Sequence, residues 1–178
     1  MSAATALFNR RLSAPTTARH EHVTAIVERE AIALLDYFLR RVESHEDAAD
    51  LLGETLLVVW RRERSLPGDP VDARMWMFGI ARKVLLTQRR TIRRRRALSD
   101  RLAFELASLP EPVDATMHDD LRQLLRTHLD EIDREIVRLV YWEGFSLVEV
   151  ATVMSMRPST VRSRHRRAHE KLRNALSH

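Results

Sequence analysis

At 178 residues, with 44% apolar and 6% aromatic side chains and four glycines, the chain has room for one domain or two small ones, built from helices with short turns. The absence of cysteine excludes disulfides and thiolate metal sites. The formal charge of +5, carried almost wholly by arginine, favours a polyanionic partner. No apolar run is long enough to span a membrane and no signal peptide is legible, so a soluble, intracellular protein is expected.

Residues 1–20 are rich in Ala, Ser and Thr and contain a proline. They read as a poorly ordered arm, or as a short regulatory tail. Helical periodicity begins at Val23 and runs to Val42, with Val27, Ala31, Leu34, Leu35, Phe38 and Val42 as its apolar stripe. Ser44 to Asp47 interrupts the pattern and can cap a second helix, Asp47 to Arg62. There Ala48, Leu52, Leu56, Val59 and Trp60 face a core, while Asp47, Asp50 and Glu54 share an exposed face at spacings of three and four. An acidic stripe early in a helix is either an ordinary solvated face, favoured by the dipole, or a docking surface.

Ser65 to Pro70 is a loop with two prolines and a glycine. A third helix starts near Asp72, burying Ala73, Trp76, Met77, Ile80, Ala81, Val84 and Leu85. Arg74, Phe78, Arg82, Lys83, Gln88, Arg89 and Arg90 are expected on its outside, and the helix runs into Arg89–Arg96, six arginines in eight positions. Such a run is often a solvated tail. Mixed with aromatics on one helix face it also suits unpaired bases, which stack on rings while arginines hold the backbone. Trp60 and Trp76 are assigned to the core, because each falls on its helix's apolar face.

Residues 97–117 lose periodicity and basic clusters and read as a flexible linker, with one helical turn around Leu102 to Leu106. Packing signals resume at Asp119, with Leu121, Leu124 and Leu125, and then with Ile136, Val137, Leu139, Val140 and Trp142 in a helix that Gly144 stops. Ser146 and Glu149 form a capping box ahead of Leu147, Val150, Ala151 and Met154. Pro158 then opens a helix with Val161, Ala168 and Leu172 inside and arginines outside. Two short helices joined by a tight turn, the second one basic, make a helix-turn-helix. The fold class expected is therefore all-α: two small helical domains, at 21–96 and 118–178, joined by the linker, the C-terminal one a helix-turn-helix.

Three stretches carry a family resemblance: Glu46–Arg62, Ala73–Leu86, and the run from Asp133 through the helix-turn-helix to Arg173. In this order and spacing the chain resembles an extracytoplasmic-function sigma factor of bacterial RNA polymerase over about residues 25–177. The resemblance implies a sigma region 2 domain at 21–96 and a sigma region 4 domain at 118–178. Asp47, Asp50 and Glu54 would dock on the clamp helices of the polymerase's largest subunit, and region 4 on the flap of the second-largest. Arg62, Leu66, Arg74, Phe78, Arg82, Lys83, Arg89 and Arg90 would melt the −10 promoter element and capture its displaced strand, where a flipped base needs a pocket. Arg162, Ser163, Arg166 and Arg167 would read the −35 element in the major groove, with Thr160 on phosphate. The linker would pass through the polymerase channels.

The resemblance also implies an anti-sigma protein as partner, a bacterial cytoplasmic location, and neither catalytic residues, cofactor nor metal. Gly53, Lys83, Ser155 and His165 depart from the family pattern. His165 and His169 have a spacing that metals use but lack a third ligand, so they are expected to be packed or partly exposed, with a pH-sensitive packing defect as the lesser reading. The alternative function is an autonomous helix-turn-helix regulator, which would need a receiver or ligand pocket in the first domain. A metal-dependent nuclease would have only the Asp47, Asp50 and Glu54 stripe for its metal.

Overall fold

The computed structural model describes the backbone of residues 3–102 and 117–176, with side chains over 19–94 and 121–176. Among these residues there are seven α-helices, one 3₁₀ turn and no strand. The helices are α1 (Ala3–Leu39), α2 (His45–Arg61), α3 (Pro70–Leu102), α4 (Met117–His128), α5 (Glu131–Tyr141), α6 (Leu147–Met154) and α7 (Pro158–Leu176). The chain divides into two compact units, residues 1–86 and 87–178.

In the first unit α1 packs on α2. The buried stripe of α1 is Val23, Ile26, Glu30, Leu34, Tyr37 and Phe38, with buried Arg41 just past its end, turned from the expected one so that Val27, Ala31, Leu35 and Val42 are only half-buried. The reason is that two charged residues occupy core positions. Glu30 accepts ion pairs from Arg29 at 2.8 Å and Arg74 at 3.2 Å. Arg41 lies 3.6 Å over the Tyr37 ring and donates to the Tyr37 carbonyl. A stripe drawn through apolar letters alone misses both.

α1 also reaches back to Ala3, through the segment expected to be a poorly ordered arm. Ala3, Ala4, Ala6, Leu7, Arg10 and Arg11 are strong helix formers, and they extend a helix already nucleated by the packed residues that follow.

Helix α2 begins where Ser44 accepts from the Glu46 and Asp47 amides. Its buried residues are Ala48, Leu51, Thr55 and Val59, with Leu52, Leu56 and Trp60 half-buried. Asp69 caps α3 by accepting from the Val71 and Asp72 amides, and Pro70 takes the first helical position, where its missing N–H costs nothing. Ala73, Met77, Ile80, Ala81, Val84 and Leu85 of α3 are buried as expected, and Trp76 is half-buried. The helix continues to Leu102, six residues into the segment read as linker. Residues 103–116, which include most of that segment and of its expected helical turn, lie outside the described residues.

In the second unit Leu125, Leu129, Val137 and Ala168 form a buried cluster, with Leu172 packed against it. Asp130 caps α5, accepting from the Asp133 amide at 2.8 Å. Gly144, at φ 73°, ends that segment in the left-handed region that favours glycine. Trp142, expected in the core, is instead 37% exposed, because the chain leaves the helix at that residue before it can turn inward. Both halves of the Ser146–Glu149 capping box form, and α6 buries Val150, Ala151, Val153 and Met154.

Candidate nucleic-acid interface

The helix-turn-helix is α6 and α7, joined through Ser155, whose φ of 54° places a non-glycine residue in the left-handed region. The turn is held by the Met156 amide on the Ala151 carbonyl at 2.8 Å. Val161 and Ala168 are the fully buried residues of α7. Thr160, Arg162, Ser163, Arg166 and Arg167 are all exposed. At 100° per residue Arg162, Ser163 and Arg166 fall on one sector of the helix and Arg167 at its margin, opposite Val161 and Ala168. Ser163 donates back to the Thr160 carbonyl at 3.1 Å. The outer face therefore offers three guanidinium forks, suited to phosphate oxygens and guanine edges.

Arg164 lies on the other side of the same helix and was missed in the sequence. Its Nη2 reaches the Asp130 carboxylate at 2.5 Å, and its Nε lies 2.7 Å from Asp133 Oδ1 as an ion pair rather than an aligned hydrogen bond. Burial acts to raise the Asp130 carboxyl, but hydrogen bonds from the Asp133 amide and from Arg164 outweigh it and hold the group below its usual range. Burial likewise acts against the Arg164 charge, and the two carboxylates more than restore it. An arginine three residues after Thr-Val carries no mark in the sequence that separates it from its outward-facing neighbours.

His165 is half-buried and stacks on Tyr141 with ring centroids 5.9 Å apart. Its Nε2 is enclosed without a hydrogen-bond partner. Burial, and then the neighbouring His169, push its pKa below the ordinary value of 6.5. His169 Nε2 lies 2.8 Å from the Tyr141 hydroxyl. Among the described residues no group of three metal-binding side chains forms.

The residues assigned to strand capture divide. Arg62 is exposed at the end of α2, and Leu66 is half-buried after the 3₁₀ turn Glu63–Ser65. Lys83 and Arg90 are exposed and Arg82 half-buried; with Arg89 they recur at seven-residue spacing along α3. Arg89 pairs with Glu131 at 2.6 Å inside the second unit.

Phe78, expected on the outside of α3, lies in the core. It is fully buried, edge-on to Tyr37 with centroids 5.6 Å apart, and no base can stack on it. Four residues earlier, Arg74 lies 5.2 Å over the same ring and pairs with buried Glu30, so it is engaged in the core rather than held out to solvent. Arg74 is drawn in by its ion pair with Glu30, and Phe78 by its aromatic contact with Tyr37. Asp47, Asp50 and Glu54 are exposed on α2, and Leu57, 56% exposed, continues their face one turn on.

Residues 26–96 match Sigma-70 region 2, and residues 127–174 match Sigma-70, region 4. The chain is 29% identical over 173 aligned positions to the ECF RNA polymerase sigma factor SigL of Mycobacterium tuberculosis, covering 93% of this chain and 95% of that protein. Among solved structures it is similar to the sigma factor RpoE in complex with the anti-sigma factor NepR from Bartonella quintana, with a TM-score of 0.65 and 25% identity over 85% of this chain and 94% of the other. It is also similar to CnrH in complex with the cytosolic domain of CnrY, with a TM-score of 0.61 and 25% identity over 87% of each chain.

Proposed function

The chain belongs to the sigma-70 family as an extracytoplasmic-function sigma factor of RNA polymerase, and from that premise we propose how its faces divide the work of initiation. The exposed Asp47, Asp50 and Glu54 dock α2 on the clamp helices of the largest polymerase subunit, with Leu57 adding an apolar contact beside them. Region 2, at 21–96, opens the −10 element. Arg62, Leu66, Arg82, Lys83 and Arg90 hold the displaced strand, while Arg74, Phe78 and Arg89 are engaged within the protein itself. Region 4, at 118–178, docks on the flap of the second-largest subunit and reads the −35 element. Arg162, Ser163, Arg166 and Arg167 meet base edges, and Thr160 meets phosphate. The residues between the two regions thread the polymerase channels.

The observation that carries the proposal is the outward sector of α7, where three exposed arginines stand opposite a buried apolar seam. The protein carries out no reaction of its own. It acts in the cytoplasm; no helix among the described residues is long and apolar enough to cross a membrane. An anti-sigma protein holds it inactive, a reading supported by the similar sigma factor RpoE solved with the anti-sigma factor NepR bound.

The test of the docking face is a titration of core polymerase into fluorescently labelled protein. Asp50→Arg with Glu54→Arg places like charges against the clamp, which costs several kcal/mol and weakens binding by about a hundredfold or more. Unchanged core affinity in that variant removes the acidic face from the interface.

A further inference from the structure

The arginines of α7 are not equivalent. The Arg166 side chain is 77% exposed, whereas that of Arg164 is 20% exposed and points away from the reading sector. Arg164 lies two residues from both Arg162 and Arg166, about 160° round the helix from each. It bridges the cap residue of α5, Asp130, and a second carboxylate, Asp133, whose side chain is only 4% exposed. Lys171, two turns on, approaches the same Asp133 at 4.0 Å.

Helix α7 packs on α4, α5 and α6, and the Arg164 clasp adds a directional polar tie to its short apolar seam. Its fully buried residues are Val161 and the small Ala168, with Leu172 partly buried at the far end. A rotation of about 20° moves groups on a helix surface of roughly 5–6 Å radius by about 2 Å. That displacement breaks a bidentate hydrogen bond to a base edge, whose donor–acceptor distances vary by only about 0.5 Å. It would break the Arg164 fork for the same reason.

We propose that Arg164 is a positioning residue: clasped between Asp130 and Asp133, it sets the rotation of α7 and so decides which edges of the −35 duplex meet Arg162, Ser163, Arg166 and Arg167. The inference rests on the reading of α7 as the −35 helix. It concerns a residue that never touches DNA and that governs specificity rather than charge.

The test compares initiation by holoenzyme on one promoter fragment, recovered by this holoenzyme from genomic DNA, with initiation on the same fragment carrying a scrambled upstream element. The ratio of the two is read beside the melting temperature of each full-length variant. Arg164→Met lowers the ratio by about tenfold or more, the effect of losing one to two good base contacts. Arg164→Lys, which keeps the charge without the fork, falls between.

The deciding variant is Arg164→Met with Asp133→Leu. Replacing a buried ion pair by apolar side chains is often neutral for stability, so this variant melts near the wild type while its ratio stays low. Recovery of the ratio together with the melting temperature would reduce the clasp to a structural tie and overturn the proposal, as would a wild-type ratio in Arg164→Met. Should Arg164→Met fail to fold, the double variant and Arg164→Lys still decide. A ratio unmoved by Arg162→Ala with Arg166→Ala would overturn the proposal along with the −35 reading beneath it.

Discussion

Phe78 separates a packing role from a DNA role by substitution alone. The ring is fully buried, so Phe78→Ala leaves a cavity and costs about 3–5 kcal/mol. Against a total stability of about 5–15 kcal/mol this brings the first unit close to unfolding. Phe78→Leu is the sharper perturbation, because it keeps most of the volume and removes only the aromatic character. It loses the edge-on contact with Tyr37, about 0.5–1.5 kcal/mol, and the Arg74 guanidinium over the ring, about 0.5–2 kcal/mol. The expected total is about 1–3.5 kcal/mol, and for a unit of this size each kcal/mol lowers the melting temperature by about 4–8 °C. Calorimetry of the full chain reads the stability, and promoter opening by holoenzyme well below the transition reads the function. Phe78→Leu melts lower and opens promoters at the wild-type rate. A base-stacking residue would behave in the reverse manner, with unchanged melting and opening reduced by about 5- to 150-fold, the equivalent of 1–3 kcal/mol per base. That result would refute the core assignment.

Ser155 sits at φ 54°, so Ser155→Gly relieves about 1–2 kcal/mol of left-handed strain less about 0.4–1 kcal/mol of added unfolded-chain entropy, and denaturant titration should show a net gain of up to about 1.6 kcal/mol. A loss would mean that the serine side chain supports the turn. Gly53 is exposed within α2, and a Cβ there meets nothing within 4 Å. Gly53→Ala should therefore stabilise the first unit by about 1 kcal/mol in thermal unfolding. His165 has a folded pKa depressed by burial and by His169, so the unfolded chain takes up its proton first as pH falls. Its stability contribution is complete above 6.5, is lost as pH drops from there to the folded value, and then levels off. Melting curves of the second unit should shift down across that window, and His165→Leu should flatten the shift; an unchanged pH slope in that variant would exclude His165 as its source.

How far the molecule was legible in the sequence differs between its two ends. In the helix-turn-helix the backbone was legible from the letters. The Ser146–Glu149 box, Gly144 and Pro158 act locally through backbone hydrogen bonds and dihedral preferences, and each stands where expected. The α1–α3 packing was harder to read because Glu30 and Arg41 are buried charges whose partners, Arg74 on another helix and the Tyr37 ring a turn away, are set by tertiary structure. Arg74 is held inward by Glu30, and Phe78 by the Tyr37 ring. Arg164 was illegible for a related reason. Its inward direction depends on Asp130 and Asp133, more than thirty residues earlier, and helical phase alone separates it from Arg162 and Arg166.

The most direct measurement of the central claim is reconstituted transcription. Purified protein is added to sigma-free bacterial core polymerase with a pool of genomic promoter fragments, and new start sites are mapped. The account predicts discrete starts that disappear in both the Asp50→Arg, Glu54→Arg variant and the Arg162→Ala, Arg166→Ala variant. Absence of core binding, together with tight sequence-specific binding of free duplex by the protein alone, would contradict it and leave an autonomous helix-turn-helix regulator.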